Sequence, residues 1–154
     1  TADIADIASC DALVQRVVAD HGGVDILLNN AGRSIRRAIE NSLDRFHDYE
    51  RTMQLNYFGA LRLIMGFIPS MLKKKRGHVI NISSIGVLSN APRFSAYVSS
   101  KAALDAFSRC AVAEFSDSGI DFTTVDLRRR FCDAEFTCIH MGVGEAHVHR
   151  ICRR

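Results

Sequence analysis

The sequence lacks an uninterrupted apolar run of the roughly 18 residues that a membrane span requires, because Arg62 divides the longest one. Its first residues, TADIADIASCDALVQ, lack the basic and then apolar pattern of a secretory signal. The five cysteines are odd in number and irregularly spaced, which predicts no disulfide framework. We therefore expect a globular, cytoplasmic protein without a membrane span, with Cys10 and Cys110 reduced in or near its core.

A clustered basic face is also missing from most of the chain. Residues 127–154 hold six of the 20 Lys and Arg but only three of the 17 Asp and Glu, which leaves 14 of each kind upstream. A nucleic-acid-binding surface usually shows as a concentrated basic face. The neutral body of the chain therefore argues against a nucleic-acid partner.

Apolar runs and amphipathic stretches alternate along the chain. The short runs VDILLNN, HVINISSI and IDFTTVDL predict buried strands at residues 24–30, 78–85 and 120–127. Longer periodic stretches predict helices at about residues 8–20, 44–75 and 95–116. In the second helix one face carries Tyr57, Leu61, Ile64, Ile68 and Met71, and Gly77 is expected to end the helix in a left-handed conformation. This alternation predicts an α/β fold with a doubly wound parallel sheet and helices on both faces.

Three positions could carry acid–base chemistry: Ser84, Tyr97 and Lys101. Tyr97 and Lys101 are four residues apart in a predicted helix, so their side chains lie on one face about one turn apart. A nearby ammonium favours the phenolate form of a tyrosine and makes it a usable acid or base. Ser84 ends the second predicted strand, where its hydroxyl could hydrogen-bond a substrate carbonyl, whereas Ser83 would point to the other side.

These residues fall within motifs that together resemble the short-chain dehydrogenase/reductase family. The motifs are NNAG at residues 29–32, LNYFG around Asn56, NISS ending at Ser84, and YVSSK from Tyr97 to Lys101. The separations of 13 residues from Ser84 to Tyr97 and of four from Tyr97 to Lys101 are those of the family. The resemblance covers residues 1–126 and implies the catalytic half of a Rossmann-like domain, with NAD(P)-dependent interconversion of a carbonyl and an alcohol.

The resemblance implies a role for each matching residue. Tyr97 would be the catalytic acid/base, Ser84 would orient the carbonyl, and Lys101 would support Tyr97 and hold the nicotinamide ribose. Asn56 would hold a water that relays protons to Lys101, at a local break in the long helix. Further cofactor contacts would come from residues beside the adenine, Asp3 and Ile4, and from residues lining the cofactor ribose, Asn30, Ala31 and Gly32.

Two longer runs refine the resemblance. PRFSAYVSSKAALDAF and IPSMLKKKRGHVINISS look most like reductases of long-chain acyl thioesters or aldehydes, which favours NADP(H) and a small-molecule carbonyl or alcohol substrate. Members of the family pack their two long helices against a partner subunit, which implies a homo-oligomer.

Part of the family pattern does not occur in the sequence. There is no glycine-rich TGxxxGxG turn for the cofactor diphosphate, and the chain starts near the end of the family's third strand. We therefore expect VDILLNN at an exposed edge of a sheet about half as wide as usual. An alternative hypothesis is a catalytically inactive fragment that can only associate through its long helices.

Residues 127–154 follow no family pattern, and we expect an irregular basic tail outside the family fold. They are rich in Cys, His and Arg, which invites a zinc hypothesis with the candidate ligands Cys132, Cys138, His140, His147, His149 and Cys152. A structural zinc site needs pairs of ligands about two to four residues apart, and these spacings fit no common motif. The sequence therefore predicts no metal site.

Overall fold

The three apolar runs form the parallel strands of a small α/β sheet. The computed structural model describes residues 1–128 and the strand 137–140. The strands are β1 (Ile26–Asn29), β2 (Gly77–Ser84), β3 (Ile120–Arg128) and β4 (Thr137–His140). Their order is β1-β2-β3-β4, with the first three parallel and β4 antiparallel to β3. The predicted strands and the partial Rossmann-like sheet are therefore confirmed.

The strand β4 departs from the expectation that residues 127–154 are irregular. Thr137–His140 pairs with Val125–Arg128 and adds an antiparallel edge to the parallel sheet, a common arrangement in α/β folds. The candidate zinc ligands lie outside the residues whose side chains the structure describes. Among the described side chains, no three His, Cys, Asp or Glu residues converge as metal ligands.

Three helical stretches accompany the strands, close to their predicted positions. Helix α1 (Ile7–His21) begins where the Asp6 carboxylate accepts hydrogen bonds from two backbone N–H groups, and it ends at Gly22, whose φ is 71°. Helix α2 (Phe46–Met53) continues through a π-helical segment, Gln54–Gly59, into α3 (Ala60–Lys74). A 3₁₀ turn (Ile39–Ser42), the single-turn α4 (Gly86–Ser89) and the long α5 (Ser95–Glu114) complete the described elements.

The end of α3 differs from the prediction. The left-handed residue is Lys75, with φ 50°, and not Gly77. Gly77 begins β2 instead, where an added Cβ would lie 2.5 Å from the Met71 sulfur. Close packing between β2 and α3, and not a positive φ, therefore requires the glycine at this position.

The described helices cover one face of the sheet. Right-handed crossovers in the order β1-β2-β3 place α2, α3 and α5 on the same side. The buried core on that side includes Ile64, Phe67, Met71, Val79, Leu104, Ile120 and Phe122. On the other side Ile26 and Leu28 of β1 are 63% and 56% exposed. Within residues 1–128 the fold therefore has one of its two expected helical layers. Among the described strands β1 pairs only with β2, so the exposed edge predicted at β1 is confirmed.

The buried face of α3 is centred differently from the predicted row. Its fully or nearly fully buried members are Ala60, Leu63, Ile64, Phe67 and Met71. Ile64 and Met71 belong to the predicted row, whereas Leu61 and Ile68 are only half-buried at its flank.

The two described cysteines differ in exposure. Cys10 is completely buried in α1, with its sulfur 3.6 Å from the Ile4 carbonyl oxygen, and burial raises the pKa of its thiol. Cys110 is exposed on α5. Both are free thiols, so the expected core position is right for Cys10 and wrong for Cys110.

One helix in the described residues, Phe46–Lys74, is long and apolar enough to cross a membrane by length and composition, with a mean hydropathy of 1.3 over 18 residues. The interruption by Arg62 therefore does not exclude a span by this criterion. The same helix supplies much of the core, and Arg62 Nη2 donates to Asp11 Oδ2 of α1 at 2.8 Å. Core helices of α/β proteins meet the same criterion, so length and composition do not distinguish the two roles.

Candidate active site

A buried network of side-chain hydrogen bonds fixes the position at which β1 ends. Asn29 Nδ2 donates to Asn81 Oδ1 of β2 at 2.8 Å, and Asn81 Nδ2 donates to Ser108 Oγ of α5 at 2.8 Å. Hydrogen bonds in a buried network strengthen one another and specify a single arrangement. The network therefore holds β1, β2 and α5 in a fixed relation, with the next residues of the NNAG motif beyond the sheet.

Asn56 lies in the π-helical segment and is completely buried. Its Oδ1 accepts from Arg33 N at 2.7 Å, and its Nδ2 donates to Arg33 O and to Ser100 Oγ, each at 2.9 Å. The helix break expected at Asn56 is therefore confirmed. Because both N–H donors of the side chain are used, a water could bind only Oδ1 or the backbone of Asn56, and the proton relay stays a prediction.

Lys101 is the buried cation of the site, with 3% of its surface exposed. Its Nζ donates to the Ile82 carbonyl of β2 at 2.7 Å, and burial lowers the pKa of its ammonium. A Cβ added at Gly32 would lie 3.4 Å from Lys101 Nζ and 3.6 Å from Asn56 Oδ1. Gly32, Asn56 and Lys101, which are far apart in the sequence, therefore meet at one point.

Tyr97 lies in the first turn of α5, one turn before Lys101, and is half-buried. Its backbone carbonyl accepts a hydrogen bond from Ser100 Oγ at 2.7 Å. Ser100 also accepts from Asn56, so it links the π-helical segment to the turn that carries Tyr97. No sequence pattern singled out Ser100, because its role depends on contacts between distant segments.

Ser84 ends β2, and its Oγ accepts from Gly86 N at 3.1 Å. A Cβ at Gly86 would lie 3.3 Å from Ser84 Oγ and 3.4 Å from a methyl group of Val98, the neighbour of Tyr97. Ser83 is buried and alternates with Ser84 across the sheet, as the strand pattern predicts. Ser84 therefore lies close to the first turn of α5 with its O–H available to donate.

The predicted cofactor residues lie at the same edge of the sheet. Asn30, Ala31 and Gly32 follow β1 and are exposed. Asp3 is exposed, and its Oδ1 accepts from Ala5 N at 2.9 Å. A Cβ added at Gly59 would lie 2.1 Å from the Ile4 carbonyl oxygen, so this glycine allows the turn before α1 to pack against the π-helical segment.

Asp126 is a buried carboxyl on β3, opposite Ser83 in the strand register. Burial raises its pKa above the ordinary 3.8, because the apolar surroundings disfavour the charged form. Between pH 3.8 and the raised pKa, the Asp126 carboxyl is more protonated in the folded chain than in the unfolded chain. The contribution of this group to the free energy of unfolding is therefore lost as pH rises through that interval.

As pH rises from about 3.5 to 7, we expect the free energy of unfolding of wild type to fall relative to that of Asp126→Asn, because the asparagine amide does not ionise. Urea denaturation of both proteins at several pH values measures the difference. Asp121→Asn, at an exposed position of the same strand, is the control and should show no such trend. If wild type instead became more stable relative to Asp126→Asn as pH rises, the pKa of Asp126 would not be raised.

The parallel sheet and the polar groups beyond the carboxyl ends of its strands define a partial Rossmann-like domain. The family model for short chain dehydrogenases matches residues 1–127. The chain belongs to the short-chain dehydrogenase/reductase family, as its motifs implied.

Individual relatives agree with this membership. A fatty acyl-CoA reductase of Acinetobacter baylyi is 61% identical over 123 residues, which are 80% of this chain and 42% of that protein. A short-chain dehydrogenase from Streptomyces avermitilis has 35% identity and a TM-score of 0.76, covering 80% of this chain and 45% of its own. A metagenomic short-chain oxidoreductase in complex with NADP has 27% identity and a TM-score of 0.75, covering 80% and 55%. The chain thus spans about half the length of these proteins.

Proposed function

We propose that the protein to which this chain belongs is an NAD(P)-dependent oxidoreductase that interconverts a carbonyl and an alcohol. The observation that carries the proposal is the meeting of Gly32, Asn56 and Lys101 beyond the strand ends. Tyr97 lies one helical turn from Lys101, and Ser84 lies beside the same turn. Ligands of open parallel sheets bind at this edge, which supports placing the reaction there.

Each side chain has a distinct task in the proposed reaction. In the direction of reduction, the Tyr97 O–H gives its proton to the carbonyl oxygen, and in oxidation Tyr97 takes the proton back. The Ser84 O–H donates a hydrogen bond to the same oxygen and stabilises its developing negative charge. Asn56 acts as a positioning residue, because it ties the Arg33 backbone to Ser100 and hence to the turn of Tyr97.

A nicotinamide cofactor fits the residues at this edge. The backbone at Gly32 is open beside the Lys101 ammonium, which uses one N–H on Ile82 and has two further donors for ribose hydroxyls. Asn30, Ala31, Gly32, Tyr97 and Lys101 would hold the nicotinamide end, and Asp3 and Ile4 would lie beside the adenine. The bound cofactor supplies or accepts the hydride. The metagenomic relative in complex with NADP supports a preference for NADP(H).

The substrate class is proposed as long-chain aldehydes, which are reduced to alcohols, or long-chain acyl thioesters. A thioester that accepts the hydride at its carbonyl carbon loses its sulfur group as a protonated thiol and gives the aldehyde. The identity of 61% to a fatty acyl-CoA reductase supports this class over the shared part of the two chains. This chain shares only part of such a protein. The proposal therefore concerns the reacting carbonyl group and not the rest of the substrate.

Titration of NADPH and NADH into the 154-residue chain, followed by calorimetry, tests whether the cofactor residues act together. If the cofactor residues act together, the chain binds the dinucleotide measurably, and Lys101→Met weakens this binding because it removes the ribose donor. Lys73→Met, at an exposed position of α3, is the matched control and should leave the affinity unchanged. Absence of binding would instead support the hypothesis of an inactive fragment, and equal losses in both variants would remove the specific role of Lys101.

A further inference from the structure

A pocket next to the candidate active site is lined mainly by arginine. It has a volume of about 380 Å³ and is lined by Arg36, Arg37, Ala38, Glu40, Asn41 and Arg93. Three guanidinium groups and a single carboxylate give this lining a net positive charge. We propose that the arginine pocket binds phosphate groups of the substrate. The inference rests on the proposed function and narrows its substrate class to phosphate-bearing thioesters. Their reduction breaks the C–S bond, gives an aldehyde and releases the phosphate-bearing thiol.

The two segments that form the arginine pocket are joined to each other and to the site. Arg37 N donates to Arg93 O at 2.7 Å. The first segment follows Arg33, whose backbone is bonded at two points to Asn56. The second segment leads directly into α5, and Arg93 stands four residues before Tyr97. An anion in the pocket would therefore lie beside the edge at which the carbonyl is proposed to react.

Arg93 has a left-handed backbone, with φ 70°, although it is not a glycine. This conformation disfavours side chains other than glycine, asparagine and aspartate, and strained residues of this kind concentrate at functional sites. A glycine would adopt the same backbone without strain, but it would have no guanidinium. The strain at Arg93 is therefore a second observation that points to a role for its side chain.

Among the described residues, two guanidinium groups of the pocket have no carboxylate within ion-pair distance. Asp48 is buried beside several cations: its carboxylate oxygens lie 2.6 Å from Arg51 Nη2, 3.1 Å from Arg45 Nε and 3.4 Å from Arg37 Nε. The hydrogen bond from Arg51 lowers the pKa of Asp48, which keeps it ionised. Arg36 and Arg93 form no ion pair with any residue in the range 1–128.

These two arginines are thus available to bind an anion, while Asp48 helps to hold Arg37 in place. A guanidinium presents two parallel N–H donors that match two phosphate oxygens, so it recognises phosphate better than a point charge does. Three guanidinium groups line one site of about 380 Å³, which suits a small group that carries several negative charges. Exposed apolar residues do follow the pocket, at Ile39, Leu43 and Phe46, so membrane binding is included below as a contrary outcome.

The test measures binding of coenzyme A and of pantetheine, which has the same thiol arm without phosphates, to the 154-residue chain by calorimetry. We expect coenzyme A to bind at least about tenfold more tightly than pantetheine, and this preference to weaken as salt rises. Arg36→Gln and Arg93→Gly should each weaken coenzyme A about tenfold and leave pantetheine unchanged. Arg93→Gly removes the charge, and glycine adopts a φ of 70° without strain, so we expect this variant to fold.

Arg16→Gln and Lys73→Gln remove exposed cations elsewhere and should change the affinity for coenzyme A by less than about twofold. Equal affinities for coenzyme A and pantetheine would overturn the proposal. If the pocket variants weakened the binding of NADP⁺ and of coenzyme A equally, the pocket would bind a phosphate of the cofactor instead. Loss of binding to phosphatidylglycerol vesicles with unchanged coenzyme A affinity would show a membrane-docking surface. None of these measurements requires turnover, so they can fail while the proposed oxidoreductase activity stands.

Discussion

Tyr97→Phe, introduced into the full-length protein that contains this chain, is expected to lower kcat about 1000-fold. The phenyl ring fills the same space in the first turn of α5, but it has no O–H to give to a carbonyl oxygen. Cofactor affinity should fall far less than kcat, because Tyr97 is one of several proposed nicotinamide contacts, and Lys101 and the backbone of residues 30–32 are unaltered. Steady-state reduction of a long-chain aldehyde, combined with NADPH titration of the same preparations, separates the two quantities.

Tyr57→Phe is the matched control for this change. Tyr57 lies in the π-helical segment and packs against Phe58, with ring centroids 5.1 Å apart. Its replacement removes the same atom close to the site and should leave kcat within about twofold of wild type. If Tyr97→Phe retained most of its activity, Tyr97 would not be the proton donor and the proposed reaction would need another acid.

Asn56→Ala is expected to lower the free energy of unfolding by about 2–4 kcal/mol. The replacement removes three hydrogen bonds and leaves the N–H and C=O of Arg33 without their side-chain partner. It also frees Ser100 from the π-helical segment, so the turn that carries Tyr97 is less fixed. Urea denaturation measures the first effect, and a fall in kcat/KM of the full-length protein measures the second.

Gln54→Ala provides a comparison within the same π-helical segment. Gln54 is half-buried and makes no side-chain hydrogen bond with the described residues, so its loss should cost less than about 1 kcal/mol. A comparable loss for both variants would mean that the segment responds to any truncation. An Asn56→Ala protein as stable as wild type would remove the argument that Asn56 positions the site.

The strands and most helix boundaries could be predicted because each depends on local pattern. VDILLNN and HVINISSI are short, apolar and bounded by polar or glycine residues, and both form strands within two residues of the predicted limits. The stop at Gly22 follows from the glycine itself. Lys75 was not predictable in the same way, because lysine rarely adopts a left-handed φ and its local sequence does not indicate one.

The candidate site could be predicted as a set of residues, but its assembly could not. The spacing of Ser84, Tyr97 and Lys101 is visible in the sequence, and the family motifs supplied Asn56 and Gly32. The bridges between these residues involve Ser100, to which the YVSSK motif gave no role, and the Arg33 backbone, which no local pattern marks. The strand β4 was not predicted either, since residues 137–140 carry no regular alternation and gain their partner from β3.

The π-helical segment also sets the angular phase of the long helix. On an uninterrupted α-helix at about 100° per residue, Thr52 of α2 and Ile64 of α3 would stand about 120° apart around the axis. A π turn takes up one extra residue, which reduces this offset to about 20°. Both side chains are completely buried, and the extra residue brings them to the same side. The π-helical segment therefore brings the buried faces of α2 and α3 to the same side of the helix. A hydrophobic periodicity of about 100° per residue that is applied across the whole stretch will place the buried face of either α2 or α3 wrongly.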